Sequence, residues 1–316
     1  LVITASGLVS VANGAARAVL GSEQAAPGTS VFAALDRDTL AEALDRAHGA
    51  NRAIPAELRL VDGTGIEARI AALGPLGGAV LSFSASAIEH HTAVEMNLAL
   101  HDEPPAPGPV TDDTPLQALP VVVLDTETTG LDVSTDRIVS VGAVRMHGQA
   151  IFPHVAIDRL INPGTPIPPG STAVHGITDP MVADAPDFAG LHPRLTAFLD
   201  GCVLVGHNIG FDHTLLRAES SRSNLPWTDP RALDTGHLMA ALYPEMNDIN
   251  LDSIADRLGV EERGRHTALG DSLVAAEIFA KLIALMADRG ITTYGGARAL
   301  AATPKRLIGT QRAAGW

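Results

Sequence analysis

The stretch from Val121 to Gly130, VVVLDTETTG, constrains the fold more than any other part of the chain. Its four consecutive aliphatic residues suit a strand buried on both faces, as at the centre of a mixed α/β sheet. Side chains at i and i+2 of a strand share a face, so Asp125 and Glu127 are expected to point the same way. Two carboxylates side by side at the end of an apolar strand repel each other and resist desolvation unless a cation joins them. Hard divalent ions with oxygen ligands, Mg²⁺ or Mn²⁺, meet that need. Without a metal, the same letters describe a strand running into an acidic turn, with Thr128, Thr129 and Gly130 as turn residues.

A length of 316 residues is enough for two domains with cores of their own. With 46% hydrophobic and 18% charged residues, the chain is expected to fold rather than stay disordered. A single cysteine, Cys202, excludes an internal disulfide framework and agrees with a reducing, cytoplasmic compartment. No apolar run reaches the roughly 18 residues of a membrane span. The first residue is Leu1 rather than Met, which leaves an upstream anchor or signal open. The net charge of −14 argues against a broad basic surface for nucleic acid, but not against an enzyme that engages a few phosphates through metal ions. After Asp288 come Arg289, Arg298, Lys305, Arg306 and Arg312 with no acid, a basic tail (289–316) read first as a solvated end and second as a phosphate or partner contact.

Residues 1–85 read as a small α+β module. LVITASGLVSVAN contains two short strands around a Ser-Gly turn, and Ala15 to Leu20 a short helix closed by Gly21. Asp38 to His48 carries Leu40, Ala43, Leu44 and Ala47 at helical spacing, with Asp38 as the cap. ELRLVDGTGIEARIAAL alternates with period two around an Asp-Gly turn, a hairpin signal, and AVLSFSA supplies one more strand. The order strand, strand, short helices, three strands resembles a PAS domain, a sensor and dimerisation module. SGLVSVANGAARAVLG carries most of that resemblance. His48 is the nearest approach to a haem ligand, and a lone histidine on a surface helix is ordinarily just solvated. Residues 86–120 are expected to hold a connecting helix, over SASAIEHHTAVEMNLAL, and then a stiff linker rich in proline and acids. Such a helix would suit a homodimer formed with its own copy.

The second domain, 121–288, opens on the acidic strand. IVSVGAVRM and HVAIDRLINP read as the next two strands of a meander, TPIPPGSTAVHGITDPMV as a loop-rich crossing, and CVLVGHN as a further buried strand. Helices are expected over 191–200, from Phe211 to Arg222, over 234–242 and 251–258, and last over an amphipathic stretch that begins near His266. Strands alternating with helices behind an antiparallel front indicate a mixed-sheet α/β layer fold. Asp212 in GHNIGFD falls near the start of a helix, where capping alone would explain it. His266 and Asp271 in RHTALGDS are five residues apart, about 140° on an ideal helix, so they converge only if His266 lies before the helix proper. Asp271 has Ala268, Leu269, Leu273 and Val274 around it, so it faces either water or a cation.

Taken together, the order Asp-x-Glu, Asp, His-x₄-Asp resembles the DEDDh family of 3′–5′ exonucleases, through DTETTGL, GHNIGFD and HTALGDS, with VHGIT, DTGHL and NLDSIADRLGV as further segments. The resemblance covers 121 to about 287. It implies a ribonuclease-H-like fold with a mixed five-stranded sheet flanked by helices. It also implies two divalent ions, one held by Asp125, Glu127 and Asp271, the other by Asp125 with Asp212. His266 is then the general base, since a histidine exchanges protons near neutrality. Thr128 and Leu131 would grip the terminal nucleotide, with His175, Asn208 and Phe211 lining the same pocket. Only 3% of residues are aromatic, which favours gripping a few nucleotides at a single-stranded 3′ end over tracking a long strand. The implied reaction releases nucleoside 5′-monophosphates, with DNA ranked ahead of RNA and a PAS-like domain as regulator. An RNA-trimming nuclease and a non-catalytic nucleic-acid-binding scaffold are the alternatives. No feature of the tail identifies a polymerase partner.

Overall fold

The computed structural model describes residues 1–50, 52–73, 78–83, 94–96, 104–246, 248–261 and 266–316. The chain divides into two compact units, Leu1–Glu103 with Phe152–Val155, and Pro104–Ile151 with Ala156–Trp316.

In the first unit, β1 (Val2–Ile3) and β2 (Val9–Asn13) are followed by α1 (Gly14–Leu20) and α2 (Arg37–Ala50). Then come β3 (Ile54–Arg59), β4 (Gly65–Ala72) and β5 (Ala79–Phe83). Asn13 ends β2 and caps α1 by accepting from the Ala16 amide. The cap of α2 is Asp36 rather than Asp38, because Asp36 Oδ1 takes the Thr39 amide at 3.0 Å and leaves Asp38 in the first turn. His48 is exposed and its Nδ1 lies 2.8 Å from the Leu44 carbonyl of its own helix, as a surface histidine would. Leu40, Ala43 and Ala47 pack with Ile3, Leu58, Ile70 and Leu81 into a core of this unit's own.

One expectation fails here. Val94–Met96 is not helix but a strand, β6, antiparallel to β2 through Val11↔Met96 and Asn13↔Val94. An uncovered β2 would leave a row of backbone donors and acceptors at the sheet edge, and pairing with β6 satisfies them. The remainder of the expected connecting helix lies outside the described residues. The sheet order is β3-β4-β5-β1-β2-β6.

The second unit is built on β7 (Pro120–Thr128), β8 (Ile138–His147), β9 (Ala150–Leu160), β10 (Val203–Gly206) and β11 (Ala232–Asp234), in the order β11-β10-β7-β8-β9. β8 runs antiparallel to β7, whereas β10 runs parallel to β7 and to β11, which gives the mixed five-stranded sheet expected. The crossing read as loop holds two short helices, α3 (Pro169–His175) and α4 (Asp179–Val182). Both have proline in the first turn, where its missing N–H costs nothing. α5 (Phe188–Leu199), α6 (Ile209–Arg222), α7 (Thr235–Leu242), α8 (Leu251–Leu258) and the 20-residue α9 (Ala268–Ala287) complete the layers.

Alternation along β7 sorts the helices. Val122, Leu124 and Thr126 share one face, and Val122 and Leu124 pack with Phe188, Leu195, Leu215 and Leu216 of α5 and α6. The other face carries Val121, Val123, Asp125 and Glu127. α9 crosses that face. Directly opposite Asp125 on β8 stands Gly142, where an added Cβ would fall 2.0 Å from the Ala268 carbonyl carbon.

The basic tail is not a solvated end. It forms α10 (Tyr294–Ala301) and α11 (Lys305–Ala313), with Tyr294 and Ala297 buried. The preceding linker pairs with it, since the Leu116 amide donates to the Thr292 carbonyl and Arg298 meets Asp112 at 2.7 Å. Among the described residues, no helix is long and apolar enough to cross a membrane.

Candidate active site

β7 delivers Asp125 and Glu127 to its carboxyl end on the face that α9 covers. Because Gly142 admits the α9 backbone so closely, Asp271 in the first turn of α9 reaches the same spot. Carboxylate oxygens of Asp125, Glu127 and Asp271 lie within 4.8 Å of one another. Thr267 caps α9 by accepting from the Gly270 amide, and the Ser272 hydroxyl donates to the Gly142 carbonyl at 3.0 Å, so the helix start is fastened from both sides. A donor set made only of carboxylate oxygens matches a hard divalent cation rather than a soft one.

Asp212 comes from the other face. Asn208 opens α6 in a left-handed conformation (φ 55°), which puts Asp212 in the helix's first turn rather than at its cap. The Asp212 carboxylate is 4% exposed and accepts a 2.6 Å hydrogen bond from the hydroxyl of Thr126, the residue between Asp125 and Glu127. Burial pushes the Asp212 pKa up to about 7, against the Thr126 hydrogen bond, which favours the carboxylate. Asp234, itself buried, adds a repulsive charge from the end of β11. Strand alternation puts Asp125 and Glu127 on the α9 side, where Asp271 joins them, while Asp212 is held to Thr126, the residue between the pair.

His266 is exposed, with φ 62°, in the loop just before the Thr267 cap. The Thr128 hydroxyl donates to the Gly130 carbonyl at 2.6 Å. His175 is buried. Its Nδ1 accepts from the Ile177 amide, so the ring proton sits on Nε2 and is donated to the Thr128 carbonyl at 3.2 Å. Burial lowers the His175 pKa, consistent with the neutral ring that this pattern requires. Ser171 adds a 2.6 Å bond to the Thr129 carbonyl, so α3 splints the turn that follows the acidic pair. Leu131, at the tip of that turn, is 73% exposed. Asn208 Oδ1 accepts from Gln311 at 2.9 Å, and Phe211 packs edge-on against Trp316 at 5.4 Å.

Several contributors went unnoticed in the sequence. Thr126 and Gly142 are the nearest to the acids. A second group is Arg137 and Arg222, which grip the fully buried Glu219 of α6; Arg137 does so through two nitrogens, at 2.6 and 3.0 Å. Arg222 also donates to the carbonyls of Val133, Ser134 and Asp136, fastening the Leu131 turn to the helix that carries Asp212. A glycine in mid-strand is a signal for close backbone approach, so Gly142 was discoverable in principle. The Glu219 network carried no such mark.

A mixed α/β sheet with an oxygen-only acidic cluster at the carboxyl end of its central strand suits metal-assisted hydrolysis. Residues 122–279 match the exonuclease family typified by RNase T, and the chain belongs to that family. Its second unit is a hydrolase domain of the 3′–5′ exonuclease type. The DNA polymerase III subunit epsilon-like protein of Rhodobacter capsulatus is 44% identical over 187 residues, 58% of this chain and 26% of that protein. The DNA polymerase III subunit epsilon of Treponema pallidum is 33% identical over 162 residues, 51% of this chain and 74% of that one. Among solved structures, exonuclease X in complex with 5′-overhanging duplex DNA aligns with a TM-score of 0.46 at 25% identity, covering 57% of this chain and 99% of that one. The chain spans about a quarter of the length of its Rhodobacter relative.

Proposed function

We propose that the chain hydrolyses phosphodiester bonds from the 3′ end of single-stranded nucleic acid, DNA in preference to RNA, releasing nucleoside 5′-monophosphates. The meeting of Asp125, Glu127 and Asp271 at one strand end carries this reading. Asp125, Glu127 and Asp271 would hold one Mg²⁺ or Mn²⁺, and Asp125 with Asp212 a second. Divalent cations there supply charge neutralisation of the scissile phosphate and activation of water. In this DEDDh reading His266 is the base that takes the proton from the attacking water, and its exposed, pre-helical position leaves it open to solvent. Exposed Leu131 and the Thr128 turn grip the terminal nucleotide, and His175 holds that turn in place. In this reading Asn208 and Phe211 would line the same pocket from α6.

The experiment is Mg²⁺- or Mn²⁺-dependent release of mononucleotides from end-labelled single strands, run on matched DNA and RNA. His266→Ala should lower kcat by about 100-fold with the melting temperature unchanged. Asp125→Asn should abolish both turnover and the Mn²⁺-induced stabilisation seen in thermal melts, which for wild type is about 3 kcal/mol at a hundred times Kd. Wild-type protein that binds single strands without cleaving them under either metal would replace the enzyme with a scaffold.

For the first unit we infer a PAS-like sensor and dimerisation role, supported by its order of two strands, helices and the three strands β3 to β5, with β6 added at the sheet edge. The cytoplasm is the compartment that a single, buried cysteine favours. A polymerase partner, suggested by the names of the relatives above, is tested by co-purification.

A further inference from the structure

Five cations and no acid follow Asp288. Two of them are used within the fold: Arg298 pairs with Asp112, and Arg289 donates to the Leu242 carbonyl and lies over the Tyr243 ring. The other three, Lys305, Arg306 and Arg312, are all exposed on α11 and form no ion pair with described residues.

α11 is docked, and its docking place is informative. Gln311, 8% exposed, accepts from His237 Nε2 and donates to Asn208 Oδ1. Just past the helix, Trp316 packs on Phe211, and a Cβ on Gly210 would lie 3.6 Å from it. Asn208, Gly210 and Phe211 are the opening turn of α6, and Asp212 is the next residue. The helix bearing three unpaired cations is therefore seated on the turn that supplies a candidate metal ligand. Lys305 and Arg312 are seven residues apart, so they stand on nearly one azimuth about 10 Å apart, roughly 100° away from the buried Gln311. The cations project clear of the docked face.

In a chain of net charge −14, cations carried on a helix seated against the turn before Asp212 run against the prevailing charge, and they complement a polyanion whose end enters the site. We propose that α11 is a rail for the phosphodiester backbone of the substrate strand, with Lys305, Arg306 and Arg312 contacting phosphates upstream of the 3′ terminus. The contact is to charge rather than to bases, so it is blind to sequence. It rests on the exonuclease reading above.

The test compares wild type with a K305A/R306A/R312A variant on two substrates, a long single-stranded oligonucleotide and the p-nitrophenyl ester of thymidine 5′-monophosphate, which has no upstream backbone. For the variant, KM on the oligonucleotide should rise about tenfold or more at low salt, with kcat kept. The slope of log KM against log salt should flatten by about 2, the release expected for three single-strand phosphate contacts. Ester hydrolysis should not change, and a K305R/R306K/R312K variant should behave as wild type. An alanine variant with unaltered KM and salt slope overturns the rail and leaves the exonuclease standing. Equal loss on both substrates also overturns it, since α11 would then be shaping the catalytic pocket. Wild type inert towards both substrates removes the exonuclease reading, and the rail with it.

Discussion

Asp212 is 4% exposed, and its pKa is raised to about 7 chiefly because ionising it means charging a group cut off from water. A raised folded-state value has a definite sign in linkage. The favourable contribution is complete below the unfolded value near 3.8 and is lost as pH rises through about 7. Chelator-treated protein should therefore weaken between mildly acidic and neutral pH. Asp212→Asn keeps an acceptor for Thr126 but removes the charge, so it should raise the stability of the metal-free protein near pH 8 and leave it almost unchanged near pH 4. The upper bound is on the order of 4 kcal/mol, from 1.36 kcal/mol per pKa unit. Thermal melts in chelator decide the matter: the same mutant-to-wild-type difference at both pH values would mean that Asp212 is not the group responsible. Added Mn²⁺ should reverse the order at high pH if the carboxylate gains a cation. The residue scale was also the most legible one. Asp125 and Glu127 were placed on one face by period-two alternation alone, and Asp271 was restricted to water or a cation by its apolar neighbours. Thr126 was not legible, because its partner is 86 residues away and nothing local distinguishes a threonine that donates to a buried acid from one that fills a strand.

At the scale of elements, the site depends on how closely α9 approaches the sheet. Gly142 faces Asp125 across β7 and β8, and a Cβ there would overlap the Ala268 backbone. Backbone on both sides of the contact leaves no flexible side chain to yield, so Gly142→Ala must move α9 or part the strands. Overpacking of this kind costs about 1–3 kcal/mol. The larger effect should be functional, because displacing the first turn of α9 withdraws Asp271 from Asp125 and Glu127. Gly142→Ala should thus keep a folded circular dichroism spectrum while losing Mn²⁺ affinity, measured by calorimetry. Wild-type affinity in that variant would show that the helix start can relax without carrying Asp271 away. Strands and helices whose hydrophobic period runs over many residues were readable in the sequence, β7, β8 and α9 among them. β6 and β11 were not. Each has three residues, too few to show a period, and each exists because a neighbouring strand offers an open edge. The tail was misjudged for a related reason: α10 and α11 contain mostly small and charged residues, and the contacts that seat them, Gln311 with Asn208 and Leu116 with Thr292, are long-range hydrogen bonds without a sequence signature.

For the whole molecule, the division of the chain allows a sharp prediction. The first unit has a core formed by Leu40, Leu58, Ile70 and Leu81, and the second a core formed by Val122, Leu124, Leu204 and Leu215. Every residue in the candidate site belongs to the second unit, as do the two terminal helices. A fragment of residues 104–316 keeps one complete core, the carboxylate cluster and α11. It should hydrolyse the thymidine ester with kcat within about threefold of the full chain, since the positioned groups that set the chemical step are all retained. If the first unit is a dimerisation module, removing it should instead change the mass measured by light scattering and the dependence of oligonucleotide hydrolysis on protein concentration. These readouts separate the two roles. Unchanged mass together with unchanged kinetics rejects the sensor and dimerisation role. Loss of ester hydrolysis in a folded fragment rejects the independence of the second unit.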